Sequence, residues 1–217
     1  MALSYKKSAL FLIVLLSAFY GHAQEDWQLK TDKDNIKVYS KSSAESKIKT
    51  LKVVCPINAR LTQLAALILD INATTEWVYK TKSATVQKQI SPSEVIYYSE
   101  IDMPWPLSNR DFIVRIKVVQ DPATKVLNVN IENLPSYLPE KKDIVRIKHS
   151  NAKWTFKPIG KNLVQIEYEL EVDPGGSIPT WLVNMFSTKG PFECFKNLKE
   201  QIKKPAYANA RLPFVVD

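Results

Sequence analysis

The chain has 217 residues, 45% of them hydrophobic, a formal net charge of +8 and two cysteines. That length suits one domain, or two small ones at most, and is enough to bury a sizeable core. The basic excess is scattered, for example at Lys80, Lys88, Lys141, Arg146 and Lys203, and without a basic-aromatic motif it excludes nucleic acid as an expected partner.

Residues 1–23 have the layout of a secretory signal peptide. Lys6 and Lys7 precede an apolar run from Ala9 to Phe19, and Gly21-His22-Ala23 ends in small residues. The run is short for a permanent membrane anchor. The expectation is cleavage after Ala23 and export, to a periplasm or to the outside. The remaining chain of about 194 residues then carries a net charge of +6, because the segment takes Lys6 and Lys7 with it. Weak attraction to an anionic membrane surface and a plain solvated surface are both open readings of that charge. Export permits a disulfide between Cys55 and Cys194. Neither cysteine sits in a CxxC or zinc spacing, and the preferred reading is two buried free thiols.

In chain order, Gln24 to Lys30 is expected as a short lead with one turn of helix, and Asp32 to Asn35 as a turn. Ile36 to Ser40 alternates as a strand. Ser42 to Glu45 turns the chain, and Ile48 to Cys55 is a second strand that Pro56 stops. Asn58 is a plausible N-cap for a helix over Ala59 to Leu69, with Leu61, Leu64, Ala65 and Ile68 on its buried face. Ala84 to Ile90 pairs with Val95 to Asp102, and Phe112 to Gln120 with Val126 to Glu132. Ile144 to His149, Lys153 to Lys157 and Leu163 to Val172 complete a sheet. In the last of these Val164, Ile166, Tyr168, Leu170 and Val172 alternate with Gln165, Glu167, Glu169 and Glu171, so one face is dry and one wet. The loop over Glu132 to Asp143 is long enough to be a lid. Pro205 to Asp217 lacks periodicity and reads as a loose tail, with docking through Leu212, Phe214 and Val215 as the alternative.

The stretch Pro179 to Lys203 organises the rest. Leu182, Met185 and Phe186, then Phe192, Phe195, Leu198 and Ile202, recur at helical spacing. Gly190-Pro191 predicts a kink or short break. One long apolar helix after many strands needs a sheet to bury it. Two readings follow: the helix plugs a solid core, or the sheet curls around it and leaves room for an apolar ligand.

Five features follow one another in order: WQLKTDKDNIKVYSK, Glu76-Trp77, Pro104-Trp105-Pro106 followed by Asn109-Arg110-Asp111-Phe112-Ile113, Leu138-Pro139-Glu140-Lys141 before Ile144-Val145-Arg146, and GSIPTWLVN. In this order and spacing they resemble the StAR-related lipid transfer (START) family of the helix-grip superfamily, as a bacterial exported member. The match covers Trp27 to about Lys203. The resemblance implies an α+β helix-grip fold over residues 24–204, a curved antiparallel sheet wrapped around the C-terminal helix. It implies an internal cavity that binds one lipid or other hydrophobic molecule without covalent chemistry. Such a site would measure roughly 300–1,000 Å³. The candidate wall is Trp77, Tyr98, Phe112, Val114, Ile116, Trp154, Phe156, Ile166, Tyr168, Leu182, Met185 and Phe186. Arg110 and Asp111 match the family's Arg-Asp pair, where Arg110 would anchor a loop and Asp111 would cap backbone amides. Glu100 matches a position where sterol-binding members carry a cavity acid, paired with an Arg on the neighbouring strand. That Arg position is Ile116 here. Glu100 therefore has three open roles: reading the ligand, finding another partner such as Arg115, or facing solvent.

No cofactor or metal is expected, and the chain reads as a monomer. His149 is the one histidine beyond the signal segment, and no nucleophile–His–acid set, metal cluster or Gly-rich phosphate loop can be assembled. The alternatives are a helix-grip cyclase or aromatase using Glu100 with Tyr98 or Tyr168 on a polyketide-like substrate, and a ligand-sensing interaction protein docked through the 132–143 loop.

Overall fold

The computed structural model describes residues 27–42 and 48–217. The expected signal segment, its cleavage point and the turn over residues 43–45 lie outside them. Ten strands form one sheet: β1 Gln28–Lys33, β2 Ile36–Ser42, β3 Lys49–Asn58, β4 Thr81–Ser91, β5 Glu94–Ile101, β6 Arg110–Gln120, β7 Leu127–Asn133, β8 Val145–Arg146, β9 His149–Gly160 and β10 Leu163–Asp173. The order is β1-β2-β3-β10-β9-β7-β6-β5-β4, and the two-residue β8 lies parallel to β6. All other pairings are antiparallel. Helix α1 spans Leu61–Leu69, and a turn of 3-10 helix, Ile71–Ala73, leads into α2, Thr74–Trp77. The fold is α+β, a large curved antiparallel sheet closed by a C-terminal helix.

That helix is continuous. It runs as α3 Thr180–Asn184, a π-helical turn Met185–Lys189 and α4 Gly190–Gln201. Pro191 has no N–H to give to the carbonyl four residues back. Instead of breaking, the chain widens by one residue per turn, and the Gly190 amide bonds the Met185 carbonyl. Gly190 itself faces the Tyr79 ring, where a Cβ would lie 3.3 Å from the ring edge.

Several boundaries differ from the sequence expectation. Gln28 to Lys33 is strand β1, not a turn of helix. Its Asp34-Asn35 turn places both residues at positive φ (55° and 56°), which Asn and Asp tolerate best after glycine. Strand β3 runs through Pro56 to Asn58. Beyond Val54 it is paired to β10 but no longer to β2, so Pro56 withholds no ladder donor. The cap of α1 is Arg60, not Asn58, with its amide bonded to the Gln63 side chain at 2.9 Å. Ile144 to His149 is only the short β8 and the beginning of β9.

The tail is docked rather than loose. Pro205–Ala208 forms helix α5, and the buried Tyr207 hydroxyl donates to Asp70 at 2.9 Å. Asp217 accepts from the Thr62 amide in the first turn of α1 and from Arg60, both at 2.8 Å. A carboxylate at a helix N-terminus meets unsatisfied amides and the positive end of the dipole.

The core is graded along the helix. Around α4, Phe195, Leu198 and Ile202 are buried against Cys55, Phe156, Val164 and Ile166 of the sheet. Trp154 closes this packed half, its ring 5.3 Å from Phe195 and 4.4 Å from Tyr168. Past Tyr168 the same inner face continues as Leu170 and Val172 on β10, paired to Leu51 and Lys49 on β3. There the helix offers Phe186 and Leu182 instead, and the packing opens.

Candidate functional site

The opening between the sheet and the first half of the helix is a hollow in two parts. The larger, about 240 Å³, lies over Trp154 and Tyr168; the smaller, about 160 Å³, lies under α3. Leu51, Ile101, Ile147, Leu170, Val172 and Phe186 line both, so the two are compartments of one space. Each is smaller than the range of small-ligand sites.

The strand period decides which expected residues meet there. On β6 Phe112, Val114 and Ile116 face inward and line the larger compartment, with Trp77, Trp154, Tyr168 and Phe186. Leu182 lines the smaller one. Phe156 and Ile166 share the inner face but lie in the filled half, fully buried and away from either compartment. Met185 is half-buried and lines neither.

Tyr98 and Glu100 are the corrections of substance. On β5 it is Tyr97 and Ile101 that line the hollow, and Tyr98 and Glu100 lie one residue out of phase. They belong to the convex face, where Ile96, Tyr98 and Ile113 are covered by Leu134 and Leu138. The 132–143 loop is thus a cover for the outside of the sheet, not a lid over the hollow. Arg146 pins it: its guanidinium donates to the carbonyls of Pro135 (2.6 Å), Leu138 (3.0 Å) and Pro139 (3.2 Å). The same side chain forks onto Asp111 at 2.7 and 3.1 Å, with both side chains 1% exposed. Asp111 therefore pairs with Arg146 and does not cap amides. Glu100 accepts from Lys82 at 2.8 Å and Asn109 at 2.7 Å. The Lys82 ammonium holds its carboxyl below the usual carboxylate range, and Asn109 adds to this against the effect of burial.

Arg110 falls on the inner face with Phe112 and is part of the smaller compartment's lining. It donates to the carbonyls of Ser108 (2.5 Å) and Gly175 (3.4 Å), tying the β5–β6 loop to the turn before α3. That turn needs its glycines. Gly175 and Gly176 both have φ of 68°, and a Cβ on Gly175 would sit 3.2 Å from Val145.

The walls are chemically quiet. Burial pushes the Tyr97 and Tyr168 phenols well above their ordinary range, so neither is a base at neutral pH. The Cys194 thiol lines the larger compartment and is pushed up to about 11 by burial. Its sulfur accepts from the Tyr79 amide at 3.1 Å. Cys55 and Cys194 are free thiols. His149 lies at the surface against Glu171, 3.1 Å away. Among the described residues no cluster of His, Cys, Asp and Glu has the geometry of a metal site, and no helix is long and apolar enough to cross a membrane.

The wall residues not foreseen from the sequence include Leu51, Tyr97, Ile101, Ile131, Ile147, Leu170, Val172 and Lys49, and Arg110, expected as a loop anchor, is a wall residue as well. Leu170 and Val172 carried a usable signal, since they continue the alternation of Tyr168. Tyr97 did not, because β5 is apolar on both faces.

Comparison with known proteins agrees with this geometry. The START domain family profile matches residues 17–206. A protein of unassigned role from Pseudomonas aeruginosa is 32% identical over 91% of this chain and 99% of its own length. The bovine phosphatidylcholine transfer protein is 26% identical over 76% of this chain and 78% of its own. Among solved structures, the STAR-related lipid transfer protein of Xanthomonas axonopodis superposes with a TM-score of 0.74 at 29% identity, covering 82% of this chain and 99% of that one. Human STARD10 superposes with a TM-score of 0.71 at 19% identity, covering 85% of this chain and 76% of that one, a likeness of fold.

Proposed function

Because the chain belongs to the START domain family, we propose that the hollow beneath α3 and the π turn holds one lipid or similar hydrophobic molecule without covalent chemistry. One observation carries this reading. The inner face is tightly filled beside the last turns of α4, at Leu198 and Ile202, and unfilled beside α3, the π turn and the first turns of α4, although the unfilled part is walled by Trp77, Phe112, Ile116, Leu170, Phe186 and Phe195. An apolar void forfeits contacts on every wall atom, and a hydrocarbon chain restores them. Extraction of the purified protein, followed by lipid mass spectrometry, tests the reading. A stoichiometric apolar molecule is expected. Repeated recovery of empty protein that also fails to take up added lipid would sink it.

The chain acts as a carrier and not as an enzyme. Tyr98 and Glu100, the groups a cyclase reading would use, lie on the covered outer face, and the Tyr168 phenol is too weak an acid to exchange protons readily. Exposed Trp105 and Trp181 project from the two segments that frame the smaller compartment, and they are 92% and 56% exposed. Tryptophan favours the membrane–water boundary. These residues seat the protein transiently on a membrane while the lipid enters or leaves. Replacing both with Ser is expected to slow lipid transfer between vesicles and to leave the amount of bound lipid unchanged. The protein works as a monomer, exported from a bacterial cell after cleavage near Ala23. N-terminal sequencing of the protein recovered from the cell envelope or medium checks the cleavage.

A further inference from the structure

The two buried arginines of this fold are not equivalent. Arg146 is 3% exposed and satisfied by a carboxylate and three carbonyls. Arg110 is 4% exposed and has carbonyls alone, while its Nε is buried with no hydrogen-bond partner. Its chain neighbour Asp111 is committed to Arg146 on the other face of the sheet. Guanidinium does not shed its proton at any working pH. Arg110 is therefore a buried cation with no opposite charge, an arrangement that is costly unless an anion arrives.

The lining around it has the same bias. The smaller compartment has two charged wall residues, Arg110 and Lys49, both positive. Among the described residues neither compartment has an aspartate or glutamate in its wall. The larger compartment, beyond Leu51 and Phe186, is apolar apart from uncharged groups such as Thr74 and Ser150.

We infer that the smaller compartment is an anion site, and that Arg110, helped by Lys49, receives the carboxylate or phosphate of an amphiphile whose chain runs into the larger compartment. The inference rests on the lipid-binding reading and narrows it to anionic ligands. The unpartnered Nε–H supplies a charge-assisted bond that a neutral head group cannot match in strength. The bonds to Ser108 and Gly175 hold the guanidinium in place beforehand, so little is lost in ordering it.

The test uses the full chain freed of lipid and loaded with a pyrene-labelled neutral alcohol. Oleate, oleoyl lysophosphatidate and oleyl alcohol are each asked to displace the probe. At least one anion should displace it at about ten- to a hundred-fold lower concentration than the alcohol, the gain expected of a charged hydrogen bond. Oleate ahead identifies a carboxylate; lysophosphatidate ahead identifies a phosphate. R110Q should remove that advantage while the alcohol competes as before. Arg110 also ties two loops together, so K49Q serves as a second variant and should reduce the advantage in part. Equal displacement by all three ligands, or an advantage retained in both variants, overturns the anion site. Failure of the probe and all three ligands to bind would instead remove the lipid-binding reading on which it stands.

Discussion

The two halves of the C-terminal helix face the same sheet and do opposite things. Beside the last turns of α4 the sheet meets Leu198 and Ile202, both at most 3% exposed, and the interior is solid. Beside α3, the π turn and the first turns of α4 it meets Leu182, Phe186, Cys194 and Phe195, and the interior is hollow. Trp154 and Tyr168 form the floor between them. The difference teaches that stability and binding are separated along one element. The α4 half supplies the buried area that drives folding, which leaves the other half free to stay underfilled.

That division can be broken from the packed side. Leu198→Ala should cost about 2–5 kcal/mol, measured as a lower urea midpoint at unchanged slope. A loss no greater than that of a surface substitution would mean the last turns of α4 are not the folding core. The convex face gives an effect of similar size by a different route. Arg146→Met leaves Asp111 buried and unpaired and frees the 132–143 loop, and should also cost about 3–5 kcal/mol. Because Arg146 lies outside the hollow, lipid affinity of the protein that remains folded should be unchanged.

The hollow side should respond in the reverse sense. Phe186→Ala removes an edge contact with Tyr79 (6.2 Å between ring centres) and a wall shared by both compartments. A loss of about 1 kcal/mol in the lipid-free protein is expected, with a larger change in which lipid chains are retained. A stability loss matching Leu198→Ala would erase the distinction between the two parts of the helix. The smallest effect concerns pH. The folded-state pKa of Glu100 is depressed by Lys82, so its contribution is complete above the ordinary glutamate value, about 4.3, and is lost as pH falls through the lower folded value. Glu100→Gln should therefore narrow the difference in stability between pH 6 and pH 3, read by thermal unfolding, and leave lipid binding alone.

Legibility in the sequence followed how each strand is solvated. β10 alternates Val164, Ile166, Tyr168 and Leu170 with glutamates and a glutamine because its outer face is wet, and its phase is readable directly. β5 carries Val95, Ile96, Tyr97 and Tyr98 in succession because the loop through Leu134 and Leu138 dries its outer face too. A one-residue error of phase there moves every side chain to the other side of the sheet, and this displaced Tyr98 and Glu100 from the expected wall. Arg146 gave no local sign of its pairing with Asp111, thirty-five residues away. The tail has no periodicity to read, since it is held by separate contacts and not by a regular face: hydrogen bonds of Tyr207, Val216 and Asp217, and the apolar side chains of Tyr207 and Val215 in the core with Leu212 and Phe214 against it. The helical stripe was legible throughout, but it does not distinguish residues that fill a core from residues that wall a void. The inner faces of the strands share this ambiguity, which is why Phe156 and Ile166 were misplaced; Met185, half-buried in the π turn, lines neither compartment.

The most direct measurement is anomalous diffraction from crystals grown with a terminally brominated twelve-carbon chain, offered as the alcohol and as the acid. A bromine peak between the helix and the sheet, beside Trp77 and Phe186, is the predicted result. Well-ordered crystals in which bromine is found only outside the protein, with the interior closed over by shifted side chains, would contradict the account.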